Sequence, residues 1–301
     1  MDFLTIGQIR KALSGFYYVY HEGETYQTRG RGNFRNQNLT PLVGDEVLFE
    51  SDNLTDGILK ELLPRKNELI RPAVANVDLG VVVMSAIEPT FSTNLLDRFL
   101  VTLESKKIKG IIYITKTDLL DETTYQQMIA FKEAYQKIGY PVILPDPKNP
   151  SQAIEELTAA FKDKLTVFMG QSGAGKSTLL NQIAPELDLE TGVISNALGR
   201  GKHTTRHVEL LPLFGGLVAD TPGFGSIEFA EIESEELPEL FPEFVEVQAE
   251  CRFRGCMHRK EPGCKVQEEL ATGEIQAYRY QHYLQFLEEI ENRKPKYTKK
   301  H

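Results

Sequence analysis

The chain has 301 residues, more than one ordinary domain of roughly 100 to 200 residues holds, so two or three domains are expected. Hydrophobic residues at 41% and charged residues at 26% exclude a wholly disordered or fibrous chain, and no run approaches the roughly 18 consecutive apolar residues of a membrane span. The formal net charge of -9 argues against an indiscriminate polyanion binder, the 3 cysteines cannot build a disulfide framework, and Met1-Asp2-Phe3 does not begin a basic-then-apolar leader, so a cytoplasmic protein with no membrane partner is expected.

Residues 1–68 carry short β-type runs, Phe16 to Tyr20, Glu24 to Thr28, Glu46 to Glu50 and Ile58 to Leu63, separated by Gly, Asn and Asp at hairpin spacing. They predict a small β-barrel, OB-like in kind, whose surface suits oligonucleotides. Arg29, Arg31 and Arg35 share a glycine-containing loop able to reach phosphates.

From Val77 the texture changes to apolar strands alternating with amphipathic helices, the pattern of a mostly parallel sheet covered on both faces. Strand Leu79 to Ala86 precedes a helix with an apolar stripe at Leu95, Leu96, Phe99, Leu100 and Leu103. There follow strand Ile111 to Thr115, a helix around Tyr125 to Ile138, strand Pro141 to Leu144, a helix from Ser151 to Phe161, and strand Leu165 to Met169. Val208 to Leu213 and Leu217 to Asp220 read as a hairpin. Ser226 to Glu250 holds nine Glu and no Lys or Arg, the composition of an acidic, solvated connector. Beyond it stand a Cys/His cluster, a helix from about Ile275 to Ile290 and a basic tail. The division expected is 1–68, 69–225 and 226–301.

Gly170-Gln171-Ser172-Gly173-Ala174-Gly175-Lys176-Ser177 matches G-x-x-x-x-G-K-[ST] between a strand and the helix that starts near Thr178. Glycines there let backbone N–H groups converge on phosphates, and the following helix N-terminus adds its positive dipole end. Lys176 would neutralise β/γ-phosphate charge and the Ser177 hydroxyl would ligate Mg²⁺. Asp220-Thr-Pro-Gly223 follows an apolar strand, where an aspartate would hold Mg²⁺ through water and Gly223 would offer its N–H to the γ-phosphate. Between them lies Gly199-Arg-Gly-Lys-His203-Thr204-Thr205-Arg206, a polar switch-like loop. Thr115-Lys116-Thr117-Asp118 ends a strand, and Asp118 could accept from guanine N1–H and N2–H₂, a donor pair that adenine lacks. Cys251, Cys256, His258 and Cys264, spaced C-x4-C-x-H-x5-C, contain every cysteine of the chain and suit one structural, tetrahedral Zn²⁺. Arg252, Arg254, Arg259, Lys260 and Lys265 make that loop a basic surface fit for RNA phosphates.

The guanine-type motif precedes the phosphate loop by about 50 residues, whereas ordinary GTPases place it after, so residues 79 to 220 read as a circularly permuted GTPase. With GQSGAGKS, GRGKHTT, DTPGF and TKTD in this order, a barrel before and a Cys/His cluster behind, the chain resembles the RsgA/YjeQ family of small-ribosomal-subunit-dependent GTPases along essentially its whole length. The resemblance implies three parts: an N-terminal OB-like β-barrel, a central α/β P-loop GTPase domain in permuted order, and a C-terminal zinc-binding domain with helices. It implies GTP hydrolysis to GDP and phosphate, stimulated by the small (30S) subunit during its late maturation, with Mg²⁺ held by Ser177, Thr205 and Asp220. It implies contact of barrel and zinc domain with 16S rRNA, action as a monomer, and a guanine site open to ppGpp as well as to GTP and GDP. Two positions depart from the family pattern. Thr115 replaces the usual Asn, and Pro145-Asp146-Pro147 stands where small base-stacking residues are usual. Phe224, in the place of a water-orienting Gln, leaves His203 as the candidate to orient the attacking water, and release of phosphate near Gly223 would move the RNA-gripping element through the acidic connector. An ATP-using P-loop enzyme and an RNA-binding assembly module with a placeholder pocket remain open alternatives.

Overall fold

The computed structural model describes residues 4–30, 34, 39–187, 208–220 and 229–293, without the side chains of Glu186 and Asp220. Five strands, β1 (Thr5–Leu13), β2 (Phe16–His21), β3 (Glu24–Gly30), β4 (Glu46–Glu50) and β5 (Gly57–Leu62), pair in the order β1-β2-β3-β5-β4, and β4 returns to β1. That closure makes a barrel and abolishes the open edges. Its hairpins turn at Ser14-Gly15 and Glu22-Gly23, where both residues of each pair have positive φ, the geometry that follows the twist of the flanking strands. Ile9, Val19, Val47, Phe49 and Leu59 fill the interior. The sequence pattern overlooks β1, which serves three partners, β2, β4 and the strand Glu209–Leu213, and carries a register shift between Ile9 and Lys11, so its side-chain alternation is broken.

A short hairpin, β6 (Glu68–Ile70) and β7 (Ala73–Ala75), leads into the second layer. There β8 (Leu79–Ser85), β9 (Lys109–Thr115), β10 (Val142–Ile143), β11 (Leu165–Met169), β12 (Glu209–Leu213) and β13 (Gly216–Asp220) lie in the order β10-β9-β8-β11-β13-β12, parallel except for β12. Every residue of β8 and β11 is buried, as a strand covered on both faces requires. Alternate β8 residues serve two cores: Val82 and Met84 pack with Leu96, Phe99 and Leu100 of helix Thr93–Ser105, while Val81 and Val83 pack with Leu157, Phe161 and Leu179 on the other face. Ser92 caps that first helix by accepting from Leu95 N, and Asp121 caps helix Glu122–Lys137 by accepting from Thr124 N at 2.7 Å. β12 continues into the barrel through β1, with Lys11 and Glu209 paired at 2.7 Å.

The acidic stretch expected to be a connector is folded where it is described. Phe229, Ile232, Leu237, Phe241 and Phe244 are buried in a third core with Val266, Tyr283, Phe286 and Leu287, closed on one side by Val101 of helix Thr93–Ser105. The described glutamates of this stretch reach solvent as the composition suggests, except Glu243, which is 5% exposed and paired with Arg279. Helices Lys265–Thr272 and Ala277–Glu291 complete this C-terminal lobe. No helix among the described residues is long and apolar enough to cross a membrane.

Candidate nucleotide and metal sites

The chain enters the sheet in the middle at β8, moves outward through β9 and β10, then returns to β11 and moves outward the other way. Strand order therefore reverses between β8 and β11, and the crevice beyond the carboxyl ends of those two strands is where an open α/β sheet binds ligands. Gly170–Ser177 begins there. Gly170 has φ 144°, and a Cβ on it would sit 2.2 Å from Val83 O, so only glycine lets the loop leave β11 against β8. Gly175, at φ 90°, directly precedes helix Lys176–Ile183 and turns the loop into it. Lys176 Nζ donates to Gly170 O at 2.5 Å and Gln171 O at 2.7 Å, and burial pushes its pKa down to about 8. A half-buried ammonium that has only carbonyls as partners is poised for an anion.

The Thr115–Asp118 stretch ends β9, the neighbour of β8 on the side away from β11. Thr115 Oγ1 donates to Ala174 O at 2.6 Å, fastening this stretch to the glycine loop 59 positions along the chain. Lys116 adopts a left-handed conformation and its Nζ donates to Glu88 O, Thr117 Oγ1 donates to Pro145 O at 2.9 Å, and Asp118 is exposed at the head of the turn Thr117–Leu119. Residues 86–92, after β8, close the third side: Ala86 N donates to Thr115 O, and Pro89 Cδ lies 3.6 Å from where a Cβ of Gly173 would be. Gly170, Gln171, Ser172, Gly173, Ala174, Gly175, Lys176, Ser177 and Thr178 thus share one edge of the sheet with Thr115 to Asp118. Asp220 ends β13, which pairs parallel with β11 through Val167 and Ala219, so its backbone reaches the same edge. His203, Thr204, Thr205, Gly223 and Phe224 lie outside the described residues, as do Arg31 and Arg35.

At the far end of the C-terminal lobe, one ligand atom from each of Cys251, Cys256, His258 and Cys264 lies within 4.8 Å of the others. His258 Nδ1 stands 3.4 Å from Cys264 Sγ and 3.8 Å from Cys251 Sγ. Thiolates bound about 2.3 Å from a tetrahedral ion are spaced about 3.8 Å apart, so the four groups fit one such cation. Burial pushes the Cys264 thiol up to about 12 and raises Cys256, while burial lowers His258. A bound cation would offset that cost by stabilising the thiolates. The loop is held in shape by Tyr283 Oη donating to Met257 O at 2.6 Å, Tyr280 Oη and Gln267 Nε2 donating to His258 O at 2.7 Å, and Glu261 accepting from Met257, Arg259 and Lys260 N–H. The basic surface expected on this loop is partly neutralised by pairing within the lobe. Arg259 pairs with Glu291 at 2.5 Å and Lys265 with Glu269 at 2.8 Å, whereas Arg252 lies over the ring of exposed Phe253.

The RsgA GTPase family profile matches residues 62–230 and the RsgA N-terminal domain profile residues 6–59. The protein named small ribosomal subunit biogenesis GTPase RsgA from Enterococcus faecalis is 66% identical over 294 residues, covering 98% of each chain. The crystal structure of YloQ, described as a circularly permuted GTPase, superposes with a TM-score of 0.82 at 48% identity over 98% of each chain. That of YjeQ from Thermotoga maritima superposes with a TM-score of 0.83 at 36% identity over 97% of this chain and all of that one.

Proposed function

This chain belongs to the RsgA GTPase family, and on that premise we propose that it hydrolyses GTP to GDP and phosphate on the small (30S) ribosomal subunit and assists the late maturation of that particle. The observation that carries the nucleotide part is the bond from Thr115 Oγ1 to Ala174 O, which joins a base-reading stretch and a phosphate-cradling loop across the switch point of one sheet. Asp118 accepts from the guanine edge, Thr115 to Thr117 shape its loop, and the backbone N–H groups of Gln171 to Thr178 surround the β- and γ-phosphates beside Lys176. Ser177, Thr205 and Asp220 would hold Mg²⁺, whose contribution is neutralising phosphate charge. Gly223 and Thr204 would sense the γ-phosphate, and His203 would orient water once the subunit orders its loop.

Cys251, Cys256, His258 and Cys264 would hold one Zn²⁺, a structural ion because all four positions are taken by protein. The division we propose remains 1–68, 69–225 and 226–301. For 16S rRNA, the barrel offers Arg29 stacked over Phe16 at 4.8 Å, and the metal loop offers Arg252, Phe253 and Arg254, a combination of cation and ring suited to phosphates and unstacked bases. The protein would work in the cytoplasm as a monomer, and ppGpp would compete for the guanine site. The test is a GTPase assay with and without purified small subunits, in wild type and Lys176→Ala. Hydrolysis stimulated in wild type and lost in the variant is expected. Absence of hydrolysis even with subunits would favour an RNA-binding module instead.

A further inference from the structure

We propose that helix Ala277–Glu291 relays engagement of the C-terminal lobe to the nucleotide loops, and that Arg279 is the positioning residue of the relay. This rests on the subunit-stimulated hydrolysis proposed above. Arg279 is 1% exposed and ties three parts of the molecule together. Its Nε and Nη2 donate to the two carboxylate oxygens of Glu243 at 2.7 and 2.9 Å, and its Nη1 donates to Asp97 Oδ1 at 2.6 Å. Asp97, fully buried on helix Thr93–Ser105, also accepts from Tyr135 Oη at 2.8 Å and pairs with His282 Nδ1 at 2.6 Å. Burial alone would push the Arg279 guanidinium down, yet Asp97 and Glu243 outweigh it and hold it well above its ordinary range.

Apolar side chains would fill such a joint as stably, because taking paired charges out of water returns little net stability. What three planar, directional groups add is a single register between the lobes. Around the rim, Arg98 pairs with Glu289 while its guanidinium lies over Phe229 and Phe286, Lys106 pairs with Glu231 at 2.5 Å, and Lys137 pairs with Glu274.

The joint lies one helix away from the nucleotide loops. Helix Thr93–Ser105 starts from residues 86–92, the segment that accepts from Lys116 at Glu88 O and lies beside the glycine loop at Pro89, whose Cδ would stand 3.6 Å from a Cβ on Gly173. An aromatic run repeats the connection: Tyr278 of the C-terminal helix packs on Phe131 with centroids 6.1 Å apart, and Phe131 on Phe91 at 5.1 Å. A lobe held in one register against that helix can thus shift the walls of the nucleotide crevice. The covalent link through residues 221–228 is a separate connection.

The test uses the full chain and measures basal hydrolysis, nucleotide affinity, metal content, and stimulated rate against small-subunit concentration. Arg279→Lys keeps the charge but cannot make the fork that spans Glu243 and Asp97. It is expected to lower the maximal stimulated rate about tenfold, with the half-saturating subunit concentration, basal rate and nucleotide affinity within about twofold, a loss in the range of coupling residues. As a second check that leaves Arg279, Asp97 and Glu243 in place, Arg98→Glu should lower that maximum about threefold, and Arg98→Glu with Glu289→Arg should restore it. Full maximal rate in Arg279→Lys, a fall matched in the basal rate, or no recovery in the rim swap would overturn the relay. Should Arg279→Lys lose its metal, the rim swap alone decides. Unstimulated wild type would overturn the underlying function as well, whereas full stimulation of every variant would overturn only the relay.

Discussion

Thr115→Val isolates the fastening between the base loop and the phosphate loop. The threonine hydroxyl has one hydrogen and two carbonyls within reach, Ala174 O at 2.6 Å and Met84 O at 3.3 Å, and the shorter, between loops, is the bond that matters. Valine keeps the branched shape and removes only that donor. A hydrogen bond of this kind is worth about 1 kcal/mol net, and stranding the carbonyl of buried Ala174 raises the cost to about 2 kcal/mol. Nucleotide binding requires both loops in place, so the cost should fall on the bound state as about 5- to 30-fold weaker GTP and GDP affinity. Titration with fluorescent GDP and GTP analogues, with thermal melting in parallel, reads this directly. Thr115→Asn, with an amide donor, should stay close to wild type. Unchanged affinity in a folded Thr115→Val protein would refute the fastening.

Burial holds the free Lys176 ammonium at about 8, and the phosphates of a bound nucleotide favour its protonated form. The protonated form binds, so GTP affinity should be constant below pH 7 and fall as pH rises through 8, by about tenfold at pH 9, with proton uptake visible by calorimetry in buffers of different ionisation enthalpy. A flat profile would show that Lys176 is not beside the phosphates. Protein purified without chelator should carry one zinc per chain, and stripping it should disorder the core around Phe244 and Tyr283, seen as loss of near-ultraviolet circular dichroism. Metal-free protein with an intact spectrum would contradict the zinc assignment.

The local features of the site were readable because their chemistry is written in consecutive residues. Gly170 to Ser177 sits flush against the apolar run Leu165–Met169, and the metal ligands fall between Cys251 and Cys264. The permutation was readable too, because each loop stays at the end of its own strand whatever the chain order. Features that depend on distant partners were not. Asp97 and Arg279 are 182 positions apart, and no spacing rule links them. The segment from Phe229 to Glu250 carries its apolar anchors on loops and short helical turns rather than a long helix, so its glutamates dominate the pattern and hide the buried Phe241 and Phe244. β1 was hidden by its bulge, and the pairing of Arg259 with Glu291 by separation along the chain.

The most direct measurement is nucleotide selection by wild type and Asp118→Asn. A carboxylate at 118 accepting two guanine N–H groups is worth about 3 kcal/mol or more, so wild type should prefer GTP over ATP on the order of 100-fold. An asparagine there offers an N–H to the second carbonyl of xanthine, so the variant should lose GTP and gain xanthosine triphosphate. Equal binding of ATP and GTP by wild type, or unaltered selection in Asp118→Asn, would mean that the turn beyond β9 does not read the base of the nucleotide held at Gly170 to Ser177.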